Sequence, residues 1–188
     1  MTHPFELSAT EARKLIGNKK LSPIELAKSC IEQIDKVNPS INAVVAIDHD
    51  AVMKSAEKSE DDVMSGNELG MLHGIPVGIK DLNLVKGLRS TSGSKLYENR
   101  IPDEDDSVVE SIRDQGAIIF CKTNTPEFGA GANTKNFVYG ATCNPFDLEK
   151  TPAGSSGGSA AALATNMMPL ASIQAKKLLT ILSKILYS

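Results

Sequence analysis

The sequence predicts an α/β fold, with helices packed around a mixed sheet. Two observations carry this: segments with helical periodicity alternate with short apolar runs of strand length, and glycines close or bound several of them. A hydrophobic content of 41% over 188 residues is enough for one domain with a real core.

The elements follow in order. "ATEARKLIG" reads as a short helix closed by Gly17. "LSPIELAKSCIEQIDKVNP" is a longer one: Ser22 is placed to cap it, Pro23 suits its first turn and Glu25 stands three residues after the cap. Its Ile24, Ala27, Cys30, Ile31 and Ile34 fall on one side. "NAVVAI" reads as a strand, and "DAVMKSAEKSEDDVMSG" as a solvated helix ending at Gly66. "GIPVGIKDLNLV" is an apolar run of strand length carrying one lysine and one aspartate. "DDSVVESIRDQGAIIFCKTN" gives a helix, a stop at Gly116 and a short buried strand over residues 117–121. Residues 159–165 have helix composition. The last stretch, "SIQAKKLLTILSKILYS", contains three lysines and no acid, and Leu178, Leu179, Leu182, Ile185 and Leu186 stand at helix-like spacing. This predicts a basic amphipathic tail: a helix for a membrane surface or a partner, a packed terminal helix, or an appended segment outside the original design.

Charge and composition narrow the function. A net charge of −3 and an aromatic content of 4% with no tryptophan argue against a nucleic-acid partner, which needs a basic face or stacking platforms. Cys30, Cys121 and Cys143 match no zinc spacing and no disulfide framework, and no cofactor or metal is expected. "MTHPFELSAT" lacks the basic start and apolar core of a signal peptide, and no apolar run approaches the roughly 18 residues that span a bilayer, so a cytoplasmic protein without a membrane partner is expected.

The chemistry concentrates in "PAGSSGGSAAALA", residues 152–164. Its glycines allow close approach and its serines offer hydrogen bonds, which fits a phosphate cradle, a nucleophile turn or a flexible loop. A P-loop needs a lysine after its glycines, whereas Gly158 is followed by Ser159 and Ala160. The pattern G-x-S-x-G is matched at residues 154–158, but its fold needs a histidine downstream, and His3, His49 and His73 all lie upstream. A serine can also be activated by a neutral lysine. Lys80 is the candidate, at the end of the apolar run 75–79, where alternation turns it and Asp81 to opposite faces. A lysine there is also commonly a solvated edge residue.

"LHGIPVGIKDL", "GAIIFCKTNTPEFG", "YGATCNPFD" and "AGSSGGSAAALA", in this order, resemble the amidase signature family over residues 72–171. "TPEFG" is closer to the general amidases than to the A-type subunits of the tRNA amidotransferases. The resemblance implies an α/β/α sandwich around a mixed sheet, cleavage of a small-molecule amide, and a relay in which Lys80 is the base and Ser155, beside a cis peptide bond, is the bridging serine. It therefore also implies that Lys80 and Ser155 lie within hydrogen-bond reach. The family's nucleophile belongs to a later "DTGGS"-like stretch, and the corresponding position, 24 residues beyond Ser155, is Leu179. No glycine occurs after Gly158, and Ser172 and Ser183 lack flanking glycines. Residues 1–171 are thus expected to form the N-terminal part of an amidase domain and residues 172–188 a divergent tail. Such a chain is expected to be inactive and to self-associate through an incomplete sheet. The alternatives are a catalytically inactive truncated remnant or binding protein, and an amidotransferase A-like subunit.

Overall fold

The computed structural model describes residues 3–175 and 178–183. Helix α1 (Ala9–Gly17) starts at a reciprocal cap: Ser8 Oγ accepts from Glu11 N–H at 3.2 Å, and Glu11 accepts from Ser8 N–H at 3.0 Å. Helix α2 (Pro23–Ile41) is capped by Ser22, as the sequence predicts, with Oγ accepting from Ile24 and Glu25 N–H. The Ser22 hydroxyl donates to Glu60 of the next helix at 2.9 Å, so a long-range partner joins the local one.

Strand β1 (Val44–Ala46) follows, then α3 (His49–Ser65), capped by Asp48 and closed by Gly66 in the left-handed region. Strand β2 (Pro76–Lys80), helix α4 (Ser107–Asp114) and strand β3 (Ile118–Thr123) come next. A two-stranded ribbon, β4 (Lys135–Asn136) with β5 (Gly140–Ala141), precedes helix α5 (Gly157–Ala164) and the strands β6 (Leu170–Ala175) and β7 (Leu178–Ser183).

The main sheet has the order β1-β3-β2-β6-β7. Its centre is parallel (β3 with β2, β2 with β6) and its flanks are antiparallel, which makes it the mixed sheet expected. Every residue of β2 and β3 is buried, because both faces of the central strands are covered. Ile75, Val77, Ile79, Ile118 and Phe120 join Ile16, Leu26 and Val52 from the helices in the core. Each such side chain contributes roughly 1.5–3 kcal/mol through burial. Among the described residues no helix is long and apolar enough to cross a membrane.

The β2–β3 register slips by one residue. Val77 pairs with Ile119, but Gly78 pairs with Cys121, Ile79 with Lys122 and Lys80 with Thr123. An unbroken register would set Lys80 and Lys122 side by side on one face. The extra residue in β3 turns them to opposite faces, which is how a bulge re-aims a side chain.

The helix-like spacing of the tail is corrected. Residues 178–183 form a strand that pairs antiparallel with β6 in six registers, from Leu170↔Ser183 to Ala175↔Leu178. The run "LLTILS" is apolar enough to satisfy either period, and the open edge of β6 decides in favour of a strand by pairing its backbone groups. Ile185 and Leu186 of the expected helix lie outside the described residues. Strand β6 itself runs continuously across residues 171 and 172.

Helix α5 approaches β3 so closely that its first turn has room only for glycine. A Cβ on Gly158 would run into the backbone of Asn124, and one on Gly157 into Thr134 and Pro152. Gly158→Ala should therefore destabilise the fold by about 1–3 kcal/mol, read as a lowered urea midpoint. An unchanged midpoint would show that α5 lifts away freely.

Candidate active site

Lys80 ends β2 with its side chain entirely out of water. Its ammonium group donates to Ser155 Oγ at 2.7 Å and to Ser156 Oγ at 2.9 Å. The two predicted site residues are thus in direct contact, and Ser156 joins them. Burial lowers the Lys80 pKa from 10.5 to about 8, so a large fraction of the amine is neutral in mildly alkaline water.

Ser155 is set by the loop that precedes α5. The Gly154–Ser155 peptide bond is cis, the geometry that the resemblance implies. Ala153, just before it, has φ +63°, in the left-handed region. Its carbonyl accepts from Thr134 N–H at 3.1 Å and from Thr134 Oγ1 at 2.9 Å, while Gly157 N–H donates to the same Thr134 Oγ1 at 3.0 Å. Thr134 therefore ties both sides of the serine pair together. The Ser155 carbonyl accepts from Thr125 Oγ1 at 3.4 Å, and Gly154 lies against the backbone of residues 131 and 132.

Below the serines, hydroxyls join α5 to the sheet. Lys80 N–H donates to Ser172 Oγ at 2.9 Å, Ser159 Oγ donates to the Ser172 carbonyl at 2.8 Å, and Ser159 meets Thr123 Oγ1 at 2.7 Å. Ser159, Ser172 and Thr123 are buried. Ser172, one of the two hydroxyls near the expected nucleophile position, is thus bonded to the Lys80 backbone. Leu179 lies in β7, paired with Gln174.

On the opposite face is an arrangement that the sequence motifs do not announce. Lys122 Nζ stands 3.4 Å from Asp81 Oδ1, with both side chains fully buried. Lys122 also donates to Ser90 Oγ at 3.1 Å and to the Asn83 carbonyl. Asp81 accepts from Thr91 N–H at 3.0 and 3.2 Å and from Thr91 Oγ1 at 2.6 Å. Burial pulls the Lys122 pKa below the ordinary lysine value, and the neighbouring Asp81 carboxylate draws it back up. The sequence signals for this pair are the alternation that turns Asp81 away from Lys80 and a lysine inside an otherwise apolar strand, in "IIFCKT". Among the described residues, no group of three or more His, Cys, Asp and Glu side chains is placed to hold a metal ion.

The lowered Lys80 pKa makes stability depend on pH. Below pH 8 folded and unfolded chains both hold the proton. Between pH 8 and 10.5 only the unfolded chain holds it, so stability rises with pH and levels off above 10.5. Urea midpoints at pH 7 and pH 10 should show a smaller alkaline gain in Lys80→Met than in the unsubstituted chain; equal gains would place the Lys80 amine in water.

Comparison with known proteins identifies the family. The family model described as Amidase matches residues 25–172. An acylamidase of Rhodococcus erythropolis is 43% identical over 165 residues, covering 88% of this chain and 35% of that protein. The A-type subunit of the glutamyl-tRNA(Gln) amidotransferase of Carboxydothermus hydrogenoformans is 41% identical over 160 residues, covering 85% and 33%. The crystal structure of a bacterial aryl acylamidase of the amidase signature family superposes with a TM-score of 0.83 at 34% identity, covering 88% of this chain and 35% of that one. The chain thus spans about a third of the length of the relatives it matches. General amidases and amidotransferase subunits both occur among them, so the lean toward the former is not decided. With the family model matched over residues 25–172 and the fold superposing on a solved member, the chain belongs to the amidase family.

Proposed function

We propose that Lys80 and Ser155 form the proton relay of a carboxamide-cleaving site. The 2.7 Å contact between Ser155 Oγ and an amine that burial has brought down to about 8 carries the reading. In a relay of this kind neutral Lys80 takes the proton of Ser155, and Ser155 takes that of an attacking hydroxyl as the new C–O bond forms. The proton then returns through the same pair to the leaving nitrogen as the C–N bond breaks. The ligand is a small carboxamide.

The same reading makes the 188-residue chain an amide-binding protein without turnover. The position corresponding to the attacking hydroxyl is Leu179, and the glycines that let backbone N–H groups hold an oxyanion are absent beyond Gly158. Loss of a nucleophile removes several orders of magnitude in rate, and each oxyanion donor is worth about 3 kcal/mol more. An amidotransferase A-like role is supported only by the relatives of that name.

Purified chain incubated with aliphatic and aromatic amides should release ammonia no faster than Lys80→Ala or Ser155→Ala. Release abolished by both substitutions would overturn the inactivity and show that another hydroxyl attacks. Independently, ¹³Cε-labelled Lys80 should titrate near pH 8; titration at the ordinary lysine value would remove the relay itself. Strand β7 at one end of the sheet order also supports self-association through that edge. Light scattering at tens of micromolar should show oligomers; a sharply melting monomer would refute this.

A further inference from the structure

We propose that Lys122 is a positioning residue for Lys80: it holds the Asp81 carboxylate on the far face of the sheet, so that Asp81 does not become the counter-ion of Lys80. The inference rests on the relay reading, which needs Lys80 as an amine.

Asp81 directly follows Lys80, and the two are the nearest ionisable neighbours that a chain can provide. A buried lysine with a carboxylate beside it keeps its proton, because an opposite charge within about 4–6 Å favours the charged form. Strand alternation alone does not prevent the pairing, since β2 ends at Lys80 and Asp81 is already in the following turn. What fixes Asp81 is the far-face cluster. Thr91 donates to it from N–H and from Oγ1, and Lys122 supplies the compensating charge at 3.4 Å.

Lys122 reaches that cluster only because the β2–β3 register slips between Val77 and Gly78. It is then secured by Ser90 Oγ and the Asn83 carbonyl, and all three of Lys80, Asp81 and Lys122 are at most 1% exposed. The other charges acting on Lys122 are Asp106, which attracts, and Arg100, which repels. The charge of Asp81 also acts on Tyr139, which has Arg89 over its ring at 5.1 Å. Asp106 is already engaged by Asn83 Nδ2 at 3.1 Å and by Leu84 N–H at 2.9 Å. Without the Lys122 charge, the Asp81 carboxylate is left buried, and the cation one residue away is Lys80.

The test is the titration of ¹³Cε-labelled Lys80 in the whole chain, assigned with Lys80→Met. Lys122→Met should raise the Lys80 midpoint by about one pH unit or more, as an uncompensated carboxylate draws it back toward the ordinary lysine value. Lys122→Arg, which keeps the charge, should leave it in place. Asp81→Asn combined with Lys122→Met removes both charges and should return the midpoint to that of the unsubstituted chain. A merely structural role for the pair does not give that reversal. Should Lys122→Met fail to fold, Lys122→Gln keeps a donor for Ser90 and Asn83 and carries the same expectation. An unmoved midpoint in the neutral Lys122 variants, a shift in Lys122→Arg, or no return in the double variant would overturn the inference. If Lys80 of the unsubstituted chain already titrates at the ordinary value, the relay reading fails first. If it titrates near 8 and no Lys122 variant moves it, the relay stands and this inference alone falls.

Discussion

The one-residue slip between β2 and β3 sends two buried lysines to opposite faces of a dry sheet, and the rest of the site depends on that separation. In water, neighbouring lysines repel weakly; in a low-dielectric interior the same pair is costly enough to force a change of register or a loss of protons. The slip gives each lysine its own chamber. On one side Lys80 meets the hydroxyls of Ser155 and Ser156; on the other Lys122 meets the carboxylate of Asp81. The chambers differ in what their oxygens carry. Hydroxyls stabilise an ammonium less than a carboxylate does, and they are themselves able to pass a proton on.

The small residues around the site serve this separation. The glycines that begin α5 let the helix sit against the Asn124 backbone, which sets Ser155 and Ser156 at the end of the Lys80 side chain. Thr134 closes the loop from below by accepting from Gly157 and donating to Ala153. Ala153 holds a left-handed conformation that a glycine would adopt without strain, and the hydrogen bonds from Thr134 to its carbonyl hold it there.

Much of this is legible in the sequence. Helix starts at Ser22, and stops at Gly17, Gly66 and Gly116, are local chemistry, and local chemistry can be read one residue at a time. Lys80 and Ser155 are legible because two motifs fix the type of residue at each. Lys122 and Ser159 are not. The place of Lys122 depends on a register shift between strands some forty residues apart, and that of Ser159 on how α5 meets the sheet. The tail departs from its helix-like spacing for a related reason: "LLTILS" satisfies the helical period, and only the free edge of β6 makes it a strand.

The bond from Lys80 N–H to Ser172 Oγ has a consequence for how this chain can change over generations. Main-chain pairing between β2 and β6 is confined to Val77↔Leu170 and Gly78↔Ala171, and beyond it a single hydroxyl takes over. Among the described residues, Ser172 is thus where β6 takes hold of the Lys80 backbone. A lineage that changes this hydroxyl changes the support of the lysine along with it.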